Sequence, residues 1–164
     1  MTRVFLFAAA AAMALATACT PVTETGIGGG NIYRIRNEDQ VQLRMLDSVN
    51  ALRQAAGAPS VQLNAQLNAA AATHSRDMSV QNRPWHFGSD GSSPLQRVAR
   101  AGYPGTLLGE NISETYENEQ QTLAAWLERP ETRAVILDPK AANMGFSWFQ
   151  EPNGKIWWTM IMAN

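Results

Sequence analysis

Near the C-terminus the chain reads Met144-Gly145-Phe146-Ser147-Trp148-Phe149, and shortly afterwards Ile156-Trp157-Trp158-Thr159-Met160-Ile161-Met162. In the first run Met144, Phe146 and Trp148 alternate with Gly145, Ser147 and Phe149, which is the period of two expected of a strand. Pro152-Asn153-Gly154 supplies a turn between the runs. The two runs are therefore predicted to form a β-hairpin. Successive strand residues point to opposite faces. One of Trp157 and Trp158 is thus expected to leave the main core and face solvent, a second layer or a lipid surface.

Most of the chain from residue 37 to this hairpin has the helical period. Asn37 followed by Gln40 has the spacing of a capping box. Val41, Met45, Val49 and Leu52 then recur as one helical face until Gly57 and Pro59 end it. A second helix starts at Asn64, with Leu67, Ala70, Ala71, His74 and Met78 on one face. Its alanines permit a close neighbour. Ser92 or Ser93 before Pro94 opens a third helix with Leu95 and Val98 inward and Gly102 at its end. A fourth carries Leu123, Trp126 and Leu127 and stops at Pro130. A third strand is expected through residues 109–116. Helices come first and antiparallel strands gather late, so the fold class is α+β, about four helices on a small antiparallel sheet.

The N-terminus is different in kind. Residues 1–18 hold one basic residue, Arg3, then Val4-Phe5-Leu6-Phe7 and an alanine-rich run, too short to span a bilayer. This is the pattern of a signal peptide. Small residues at Ala16, Thr17 and Ala18 directly precede Cys19, resembling the site at which a bacterial lipoprotein is cleaved and lipidated. An ordinary secretory signal is the alternative. Cys19 is the only cysteine among 164 residues, and an odd thiol in an exported chain favours lipidation. Residues 19–30 read as a flexible linker, with Gly28-Gly29-Gly30 lacking the lysine and preceding strand of a phosphate loop. The folded domain is expected over residues 31–164. A net charge of -1 leaves no footprint for nucleic acid. With no disulfide available within the chain, a hydrophobic core must supply stability.

Four segments stand out in order: Ala71-Ala72-Thr73-His74-Ser75-Arg76-Asp77-Met78; His86-Phe87-Gly88-Ser89-Asp90-Gly91; Gly102-Tyr103 leading to Gly109-Glu110-Asn111-Ile112; and Trp126-Leu127-Glu128-Arg129-Pro130 with Arg133, Ile136, Leu137 and Met144-Gly145-Phe146. Together they resemble the bacterial branch of the CAP superfamily, the cysteine-rich secretory, antigen 5 and pathogenesis-related proteins. The resemblance runs from about Asp39 to the C-terminus. It implies an α-β-α sandwich with a cleft lined by two histidines and one or two glutamates, where some members bind zinc or another divalent ion.

On that resemblance, His86 is the first histidine and Glu110 the first glutamate. The second histidine falls at Thr132, and the second glutamate of eukaryotic members falls at Arg129, with Glu128 or Glu131 able to stand in partly. A zinc site needs three or four His, Cys or carboxylate ligands, and His86 and Glu110 supply two. No cofactor is therefore expected, and zinc is disfavoured by Thr132. His74 is expected to be a core histidine bonded to backbone, Asn111 a structural amide, and Asp90-Gly91 a turn.

The resemblance implies two functions as expectations. The first is an exported, envelope-associated, non-enzymatic binding module whose His86/Glu110 cleft holds a small lipid or a protein. It would be attached to the membrane through a lipid anchor, in the periplasm or at the outer membrane, or otherwise secreted. The second is an extracytoplasmic, peptidase-like hydrolase using His86, Glu110 and a metal or a nearby hydroxyl, for which Ser89 and Thr132 are the candidates.

Overall fold

The computed structural model describes residues 32–164; the signal peptide, Cys19 and the linker predicted above lie outside the described residues. The elements are α1 (Glu38–Ala55), β1 (Gln62–Leu63), α2 (Ala65–Gln81), α3 (Pro94–Arg100), β2 (Leu107–Thr115), α4 (Glu119–Glu128), α5 (Pro130–Leu137), β3 (Asn143–Gln150) and β4 (Ile156–Ala163). Among the described residues no helix is long and apolar enough to cross a membrane.

The four strands lie in the order β1-β3-β4-β2. The predicted hairpin is β3–β4, antiparallel, with Trp148 opposite Trp158 and Met144 opposite Met162. The strand after α3 joins the other side of β4, with Glu110 opposite Ile161 and Asn111 opposite Met160. The two-residue β1 pairs parallel to β3, so the sheet is mixed where an antiparallel one was expected. Two residues carry too little period for a sequence reading to find.

Helices cover both faces. Ile156, Trp158, Met160 and Met162 pack with Met144 and Phe146 against Val41, Met45 and Val49 of α1, Leu123 and Trp126 of α4 and Ile136 of α5. Ile161 and Ala163 face the other way, against Leu67, Ala70 and Ala71 of α2 and Val98 of α3. Neither Trp157 nor Trp158 is exposed. Because β4 is central and buried on both sides, every one of its residues is sealed. Trp157 lies on the same face of β4 as Ile161, and its indole Nε1 donates to Glu151 of the hairpin turn at 2.7 Å. The result is an α-β-α sandwich.

Three of the five helices start at a side-chain cap. Asn64 accepts from the Gln66 and Leu67 amides, and Ser93 with Gln96 completes a capping box on α3. Asn118 with Gln121 does the same on α4. Asn37 does not form the expected capping box: it sits in the left-handed region at φ 57 and makes no side-chain cap bond. Leu95, expected inward, is 59% exposed. The face of α3 that turns inward carries Arg97 and Val98. The region after Pro130 is a fifth helix, since proline at its first turn starts α5 as readily as it stops α4.

Two close approaches set the layers. A Cβ on Gly145 would lie 2.4 Å from the carbonyl carbon of Leu67, so glycine lets β3 touch the backbone of α2. A Cβ on Gly109 would lie 2.6 Å from Val135, which seats α5 against β2. The β2–β4 register shifts between Leu107 and Gly109, directly before Glu110. Such irregularities re-aim the side chains that follow.

Candidate functional site

β2 lies at one end of the sheet, and Glu110 and Asn111 project from its opposite faces. Residues opposite one another in an antiparallel pair share a face, so Glu110 goes with Ile161 toward α2 and α3, and Asn111 with Met160 toward α4 and α5. Both nonetheless line one cavity of about 560 Å³ that straddles this edge of the sheet. The loop residues Pro84, Trp85 and His86 form one side, and Arg129, Glu131 and Thr132 form the other. Ile112, Ser113 and Glu114 continue its floor along β2.

The loop that brings His86 here is built at the end of α2. Asn82 ends the helix in a left-handed conformation, its amide donating to the Met78 and Ser79 carbonyls. His74, one of the helix's fully buried residues, donates from Nε2 to the Trp85 carbonyl at 3.0 Å. The Trp85 indole donates back to Gln81 Oε1 at 2.7 Å. The residue next to His86 is thus held at both its backbone and its ring. His86 itself is half exposed and sits with Nδ1 2.9 Å from Glu110 Oε1.

Glu110 is the hub. Its side chain is nearly sealed, and Arg97 Nη2 contacts its two oxygens at 2.9 and 2.8 Å. A second Arg97 nitrogen, Nη1, donates to the Ser92 carbonyl at 3.0 Å. His74 Nε2 lies 3.7 Å from the same carboxylate. Sequence reasoning passed over Arg97. The signal that points to it is its place beside Val98, one turn inside a well-capped helix, where a charged residue needs a buried partner.

These contacts assign the proton positions. A carbonyl only accepts, so His74 carries its proton on Nε2, and its Nδ1, which has no partner among the described residues, is a bare acceptor. Burial pushes the His74 pKa down; the Glu110 charge opposes this and the Arg97 charge adds to it. A carboxylate that receives hydrogen bonds from Arg97 on both oxygens takes the Nδ1 proton of His86 as donor, and in the neutral imidazole Nε2 is then an acceptor. Asn111 is 1% exposed; its Nδ2 donates to the Thr132 carbonyl at 3.0 Å, and its Oδ1 is unpartnered among the described residues.

The two hydroxyl candidates are both engaged elsewhere. Ser89 Oγ donates to Asp77 Oδ1 at 2.6 Å, and its amide donates to Asp77 Oδ2. Thr132 lines the cleft, but its hydroxyl bonds the Trp126 and Arg129 carbonyls at the start of α5. Glu131, and not Glu128, is among the residues lining the cavity. It pairs with Arg129 at 2.8 Å, and the backbone amide at its own position together with that guanidinium holds its carboxyl below the usual range. Asp90-Gly91 is a turn, with Gly91 at φ 76.

The donor set does not fit zinc. His74 and His86 both approach Glu110, yet among the described residues no three His, Cys, Asp or Glu side chains are placed to hold a metal ion. Both Glu110 oxygens are taken by a guanidinium that would repel a cation placed there, and Thr132 brings a hydroxyl committed to backbone.

A family model described as the cysteine-rich secretory protein family, CAP, matches residues 46–162. The Bacillus subtilis protein YkwD is 26% identical over 114 residues, covering 70% of this chain and 44% of that protein. An extracellular protein containing an SCP domain from Bacillus anthracis superposes with a TM-score of 0.69 at 21% identity, over 77% of this chain and 41% of the other. An outer surface protein of Borrelia burgdorferi superposes with a TM-score of 0.67 at 12% identity, over 80% of this chain and 97% of the other. The chain spans less than half the length of the two Bacillus relatives. The family match covers well over half of the residues, and the sandwich agrees with the solved structures: this chain belongs to the CAP, or cysteine-rich secretory protein, family.

Proposed function

We propose that the protein is an exported, envelope-associated binding module that holds its ligand in the cleft along β2, and that it is not a hydrolase with a side-chain nucleophile. One observation carries the reading: among the described residues no hydroxyl bonds His86, because Ser89 is spent on Asp77 and Thr132 on backbone carbonyls. With no side-chain hydroxyl placed for it to deprotonate, His86 is read as a group that binds the ligand. The hydrolase reading is favoured by a different observation, the open His86 Nε2 behind the 2.9 Å pair with Glu110, which has the form of a base for a water molecule.

A rate assay separates them. The full chain, wild type and His86→Ala, is incubated with casein and with a p-nitrophenyl ester. The binding reading expects the two proteins to be indistinguishable. Turnover that His86→Ala removes would overturn it.

Export rests on residues 1–18 and attachment on Cys19, in the periplasm or outer membrane, or as a secreted protein if Cys19 is not modified. The extracellular and outer-surface descriptions of the relatives support export. Labelled palmitate should enter the wild-type chain and not Cys19→Ser; equal labelling of both would remove Cys19 as the anchor.

A further inference from the structure

The cleft's unsatisfied groups are uncharged, and on the binding-module reading they name the class of ligand. Each carboxylate that lines it already has its own cation. Glu110 is paired with Arg97, Glu114 with Lys155 at 2.7 Å, and Glu131 with Arg129 at 2.8 Å. The cavity therefore has no carboxylate left over to hold an ammonium group or a metal.

What remains is neutral: the Ser113 hydroxyl, which makes no side-chain hydrogen bond among the described residues, and a set of acceptors. Asn111 Oδ1 is the first, on a residue 1% exposed that lines the cavity. Its assignment is fixed, since the amide nitrogen is used on the Thr132 carbonyl. An unpaired buried acceptor is costly and rare in a native structure, so a partner is expected. His86 Nε2 is the second, because Nδ1 faces Glu110. Thr132, its proton spent on carbonyls, presents only lone pairs. Trp85 adds an aromatic surface on the loop side, its ring held by Gln81 and by Arg83, whose guanidinium carbon lies 3.9 Å from the ring centre.

We infer that the cleft takes an uncharged ligand rich in hydroxyl or amide N–H donors, of the saccharide class, which donates to Asn111 Oδ1 and His86 Nε2 and lays an apolar face on Trp85. Neutral donors satisfy the two acceptors without disturbing the three ion pairs. A sugar ring combines donors around its rim with C–H surface on its face, matching acceptors beside an indole.

The test is a nuclear magnetic resonance titration of the full chain, reading the Asn111 side-chain amide, the His86 ring and the Trp85 indole N–H. The probes are chitotriose, whose amino groups are acetylated and neutral, and its deacetylated trimer, which carries ammonium groups. Monomeric N-acetylglucosamine distinguishes a free sugar from a glycan chain as the source. Chitotriose is expected to move all three residues saturably. The charged trimer should bind more weakly, and His86→Phe should weaken chitotriose about fivefold, the loss of one hydrogen bond. Trp85→Leu, at a surface loop, gives a second variant if His86→Phe disturbs the fold, and it too should weaken binding.

Tighter binding of the deacetylated trimer would overturn the inference in favour of a cation site, and so would zinc that moves the same resonances and is lost in His86→Ala. No movement with either trimer sinks the saccharide class and leaves the binding-module reading standing. That reading falls separately, on turnover that depends on His86.

Discussion

Arg97 and Glu110 form a buried two-point ion pair that is also the partition between two cavities. Arg97 lines a space of about 550 Å³ between α2 and α3, while Glu110 lines the cleft of about 560 Å³ at the edge of β2. The guanidinium meets both carboxylate oxygens, and the two side chains are 5% and 2% exposed. The pair holds Glu110 in place, and Glu110 in turn holds His86.

Arg97→Met should leave Glu110 buried without its cation and cost about 3 to 5 kcal/mol in urea unfolding. Adding Glu110→Leu should restore most of that, because two apolar groups replace a desolvated pair. A single-variant loss below about 1 kcal/mol would mean that the pair is not the buried lock described here.

His74 makes stability depend on pH in a defined direction. Its folded pKa lies below the 6.5 of an unfolded chain because burial disfavours the imidazolium. Between the two values the unfolded state binds more protons, so stability rises with pH through that window. The His74 contribution is fully present above 6.5 and is lost as pH falls toward the lower, folded value. His74→Gln keeps a donor for the Trp85 carbonyl and cannot be protonated. Its urea midpoint should fall less than that of wild type between about pH 7.5 and about pH 5.5. Equal slopes would remove His74 as the cause.

Arg53 should be the most damaging substitution outside the cleft. It is fully buried on α1 and donates to four carbonyls, those of Pro59, Ile136, Asp138 and Ala141, at 2.7 to 3.1 Å. Burial draws its pKa down, against the opposing charge of Asp138. Arg53→Met fills the space of the aliphatic stem but strips those acceptors of their donor, and should cost roughly 3 to 5 kcal/mol. Arg53→Lys keeps the charge and loses the fork, so it should recover less than half of the loss in thermal or urea unfolding.

Gly145→Ala should cost about 3 kcal/mol by the same measurement, since the new methyl meets Leu67 backbone and not a side chain that can swing aside. An unchanged midpoint would show that α2 can withdraw from β3 freely.

Much of the architecture is readable in the chain itself. The alternation in residues 144–149 and 156–162 marks the hairpin, and Asn64 and the Ser93-Pro94 pair mark helix starts, because strand period and capping depend on neighbours a few residues apart. The family motifs likewise name His86, Glu110 and Thr132, and all three line one cleft. The readings that failed locally have local reasons. Asn37 has the spacing of a cap but a left-handed backbone, and Leu95 has the hydrophobicity of a core residue but lies on the outer face of α3.

The sequence by itself determined four of the five helices and three of the four strands, the α+β class, the family and the segments that meet at the cleft. Only the tertiary structure decided what those residues do to one another. Arg97 reaches Glu110 across 13 residues, His86 reaches it across 24, and Arg53 reaches carbonyls more than 80 residues away. Whether Thr132 offers its proton to a ligand or to the Trp126 carbonyl depends on how α5 follows α4. Periodicity reports the direction of a side chain from its own backbone. The partner it meets is set by how the sheet and the two helical layers close over it, and at this cleft the partners determine whether the same residues bind, catalyse or hold a metal.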